Sequence, residues 1–150
     1  MSKVYTVLDT LKDELDNHDF VNTVTQGSID DIDKVKRTMF PLSHIMINNV
    51  DIEGKLSRYN MTVFCMDRVN ISKDQTTDEF RGNDNEVDIL NTQLAVMERV
   101  QAVLIRGANR KSYQIDGTVS ATPFTMRFEN YVAGWECTFD LIIPNELSKC

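Results

Sequence analysis

Closely spaced carboxylates are the feature of this sequence most suggestive of chemistry. Asp30, Asp31 and Asp33 stand almost side by side, and Asp78, Glu79, Asp84, Glu86 and Asp88 form a second acidic group. Oxygen-rich clusters can hold Mg²⁺ or Ca²⁺, and a metal held there would serve a small metal-dependent enzyme. The surrounding residues favour plainer roles. The first run lies between Gly27-Ser28 and the basic segment Lys34–Arg37 and reads as a solvated acidic loop, because the EF-hand spacing with its central Gly and final Glu is missing. In the second, Asp84, Glu86 and Asp88 open a helical pattern, where carboxylates offset the positive end of the helix dipole.

The other reactive residue types are sparse. His18 and His44 are the two histidines, and neither lies in an H-E-x-x-H helix or beside a G-x-S-x-G elbow. His44 reads as a strand residue beside Ser43, and His18 follows the first helix, where an imidazole can offset the negative end of the dipole. Cys65, Cys137 and Cys150 are an odd set without a C-x-x-C pair, so neither a disulfide framework nor a zinc site is expected. The six glycines are dispersed and make no phosphate-cradling loop. No cofactor and no catalytic residue is expected.

The elements that would position these groups follow from periodicity. Val4, Leu8, Leu11 and Leu15 predict an amphipathic helix over 4–17, and VNTVTQ at 21–26 a short strand. LSHIMINNVDI, a Glu53-Gly54-Lys55 turn and the run from Leu56 predict a hairpin. Its second strand carries Tyr59, Met61, Val63 and Cys65 on a dry face, with Arg58, Asn60, Thr62, Phe64 and Met66 on the wetter one. Asn83 and Glu86 read as a capping-box start to a long helix with Val87, Leu90, Leu94, Met97, Val100 and Leu104 along it, closed by Arg106-Gly107. Strands follow from Tyr113 and from Trp135 to Ile143, where Trp135, Cys137, Phe139 and Leu141 alternate with polar residues up to Pro144. The expected class is α+β in one domain over 1–150, with two helices on one face of a mainly antiparallel sheet in the order α-β-β-β-α-β-β. Trp135, Phe139 and Leu141 should meet Leu90, Leu94 and Met97 in the core.

Sixteen Lys and Arg against twenty-three Asp and Glu give a net charge of −7, which disfavours non-specific wrapping of nucleic acid. No signal-peptide core and no apolar run of membrane-spanning length is seen, so a soluble, cytoplasmically made protein is expected. The polar connection 70–82 is long for a compact domain, and connections of this kind are often functional. Within and beside it, Asp78, Glu79, Phe80 and Arg81 are candidates for contact with another chain. So are Phe128 and Tyr131, in the irregular stretch RFENYVAG.

Three segments, TQGSIDDIDKVKRTMFPLSHIMINN at 25–49, DEFRGNDNEVDILNTQLAVMERV at 78–100 and RFENYVAGWECTFDLIIPN at 127–145, together resemble a small virion protein of crAss-like tailed phages. The element order is similar to that of tail-terminator and head-to-tail connector proteins. The resemblance implies a homo-oligomeric neck ring in the virion, assembled in the host cytoplasm, between a portal-side neck protein and a tail protein. DNA would pass through without specific binding, and Asp30, Asp31 and Asp33 would belong to an acidic lumen or loop. It carries over no catalytic, metal or cofactor site. A small metal-dependent phage enzyme and a monomeric assembly adaptor are the alternative readings.

Overall fold

The computed structural model describes residues 3–28, 39–70, 80, 85–106, 114–127 and 131–144. In chain order these form α1 (Lys3–Asp16), β1 (Thr23–Gln26), β2 (Leu42–Glu53), β3 (Leu56–Arg68), α2 (Glu86–Arg106), β4 (Gln114–Arg127) and β5 (Val132–Pro144). The strands make one sheet in the order β1-β2-β3-β5-β4, antiparallel except for the parallel pair β1 and β2. The fold is α+β, with the expected succession of elements.

The hairpin of β2 and β3 closes through Gly54-Lys55, with Gly54 at φ +60°. Glycine in first place at positive φ fits the two-residue turn whose twist matches its flanking strands. Asn48 interrupts the ladder: Ile47 faces Met61 and Asn49 faces Asn60, so Asn48 is an extra residue, a β-bulge. On the other side of β3, Gly134 of β5 permits a close approach. A side chain there would collide with the Cys65 carbonyl and lie 2.7 Å from the Met66 Cα.

Period-2 alternation puts Tyr59, Met61, Val63 and Cys65 of β3 on one face with Ile45, Cys137, Phe139 and Leu141, under both helices. Burial of each large apolar side chain contributes about 1.5–3 kcal/mol relative to exposure. The α1 stripe is shifted from the expected one. Val7, Leu11 and Leu15 are buried while Val4 is exposed, because a helix leaning on β1, β2 and α2 turns its Val7 side inward.

In α2 the buried row is Ile89, Gln93, Val96, Met97, Val100 and Leu104, whereas Val87 is exposed and Leu90 and Leu94 are half-buried. Two apolar rows lie side by side on this helix, and packing decides which is central. Phe139, Leu141 and Met97 do meet in the core; Trp135 packs at its margin, its indole N–H donating to the Leu90 carbonyl at 2.7 Å. The helix begins at Glu86, so Asn85 occupies the cap position expected for Asn83. Its side chain ties the end of β3 instead, accepting from Asn70 N and donating to the Arg68 carbonyl.

The face away from the helices is not uniformly wet. Phe64 and Met66 are buried there with Leu42 and Val132, and Phe40, Met46 and Phe124 pack against them. Towards the hairpin turn the same face is polar. Asn48 donates to Asn60 and Thr62, Asn60 donates to Asp140, and Arg58 lies 3.8 Å from both Glu53 and Asp140.

Candidate assembly site

Of the residues singled out in the sequence, Asp30, Asp31, Asp33, Asp78, Glu79, Arg81 and Phe128 lie outside the described residues. Phe80 is 93% exposed and Tyr131 is 53% exposed. Tyr131 has φ +51° in the turn before β5, and its carbonyl accepts from Val69 N at 2.9 Å. It therefore sits at the root of the connection that carries Phe80, whose two ends are joined by the Asn70–Asn85 hydrogen bond.

The histidines and cysteines take structural positions. His44 is fully buried, its Nε2 3.1 Å from the Gly27 carbonyl and its Nδ1 2.7 Å from the Thr25 hydroxyl. A carbonyl only accepts, so Nε2 carries the proton and Nδ1 takes the hydroxyl hydrogen; the neutral ring satisfies both bonds. His18, just past the end of α1, accepts from Phe20 N through Nδ1, and its ring lies 5.5 Å from the Phe20 ring at a tilt of 36°. Burial pushes the Cys65 thiol up to about 12 and the Cys137 thiol up to about 11. Both stay protonated at neutral pH, and a thiol is a poor nucleophile. Among the described residues no three His, Cys, Asp or Glu side chains gather as metal ligands.

Sequence reasoning missed the surface that stands out most in three dimensions. Among the described strands β4 forms one edge of the sheet, while α2 packs chiefly over β3 and β5. Between α2 and β4 a groove of about 590 Å³ remains, floored by Val119, Ala121 and Trp135 and walled by Leu94, Met97 and Ile105. Two polar groups of α2 also line it. Gln101 is 8% exposed, and its side-chain carbonyl oxygen Oε1 has no hydrogen-bond partner. Glu98, one turn earlier, is exposed and forms no ion pair among the described residues.

No protein-family model matches the chain, and no curated protein matches it significantly. The site is accordingly characterised by its own geometry.

At the opposite edge, β1 covers β2 from Leu42 to Ile45, and among the described residues no strand pairs with the outer edge of Met46–Glu53. The hairpin tip carries Val50, Ile52 and Leu56 at 38%, 74% and 40% exposure. Unpaired strand edges present rows of amide and carbonyl groups that another strand can satisfy, and exposed apolar side chains next to them supply the contact energy. The arrangement is suited to protein association through sheet edges. Its signals were in the sequence only as a pair of long alternating runs, without the strand order that makes one of them an edge.

Proposed function

We propose that this chain is a structural subunit of a phage head-to-tail connector or tail-terminator ring, joining tail to neck around the DNA channel by protein contacts. The observation that carries the reading is the pair of unlike edges that the described residues leave unpaired on one sheet, β4 with its apolar groove and the β2–β3 tip with its exposed Val50 and Ile52. Unlike edges favour head-to-tail contacts, which close into rings when the rotation allows. The segments resembling crAss-like virion proteins and the α-β-β-β-α-β-β order support the same role. A net charge of −7 suits a channel past which DNA slides without sticking.

Partners in this reading are further copies of the chain, a portal-side neck protein and a tail protein. Sedimentation over a wide concentration range, together with reconstitution of tails onto necks, tests it. A ring in solution or on a neck template is expected. A strict monomer that joins no particle would overturn the proposal, as would turnover of a nucleic-acid substrate that depends on added Mg²⁺, Mn²⁺ or Ca²⁺.

A further inference from the structure

We draw no further inference here: the strongest candidate, the exposed apolar patch that Val50 and Ile52 form on the helix-bearing side of the β2–β3 hairpin tip, is an unpartnered face, and nothing in the structure shows what covers it.

Discussion

The β4 edge and the stretch of the β2 edge that β1 covers, Leu42–Ile45, are finished in opposite ways. On the β1 side a strand of four residues covers β2 as far as Ile45 and is fastened at several points: His44 to Thr25 and Gly27, Gly27 N to the Ile45 carbonyl, and Asn22 N and Thr23 N to the Pro41 carbonyl. On the β4 side a strand of fourteen residues has no further neighbour among the described residues, with α2 set back from it and a groove between. Short, pinned edges protect a sheet from unwanted pairing, and long bare ones invite pairing. The closed edge spends its hydrogen-bonding groups on the fold, whereas the open edge keeps them for a neighbour. Stability and association should accordingly respond to different residues.

The largest effect is expected at the centre that both edges share. Phe139→Ala should cost about 3–5 kcal/mol in a denaturant titration, and a loss below about 1 kcal/mol would mean that the helix-side core does not hold the edges together. Next comes the closed edge. His44→Ala removes the partner of a buried carbonyl and hydroxyl and should cost about 1–3 kcal/mol, with faster amide exchange at Gly27 and along β1 than along β5. Equal acceleration in both strands would show that β1 is not a separately fastened edge.

The open edge should show the reverse pattern. Ile105→Lys at the groove rim, half-exposed in the isolated chain, should change stability by no more than about 0.5 kcal/mol yet lower the sedimentation coefficient of the assembled species. A variant that melts early but assembles when folded would break the comparison. The smallest change in stability is expected for Phe80→Ser with Arg81→Glu: the melting temperature should stay nearly constant while docking to the neck weakens. Phe80 is 93% exposed, so a marked drop in melting temperature would place that segment within its own domain's packing and not at a contact.

Much of this division was legible in the sequence. Alternation in Tyr59–Cys65 and Trp135–Leu141 marked the buried face of the two central strands, and the Gly54 turn marked the hairpin. Three things were not legible, each for a physical reason. The α2 stripe through Leu90 and Leu94 is as apolar as the row beside it, and only tertiary contact selects the central one. Phe64 and Met66 share a face with Asn60 and Thr62, so periodicity alone assigns the whole face one character, while in space its two ends differ. The groove and the open edge depend on β5 inserting between β3 and β4, a matter of strand order that local pattern does not carry.

The bulge at Asn48 gives β2 a property that no substitution analysis would detect. Up to Ile47 odd-numbered residues face the helices, and from Val50 onward even-numbered ones do, because the unpaired residue reverses the parity of the strand. Which side of the sheet receives Val50 and Ile52 is therefore set by counting and not by residue type. Among changes to the gene, substitutions between residues 47 and 50 should be tolerated broadly. A three-nucleotide insertion or deletion there would turn the tip over or oblige the strand to reform the bulge elsewhere.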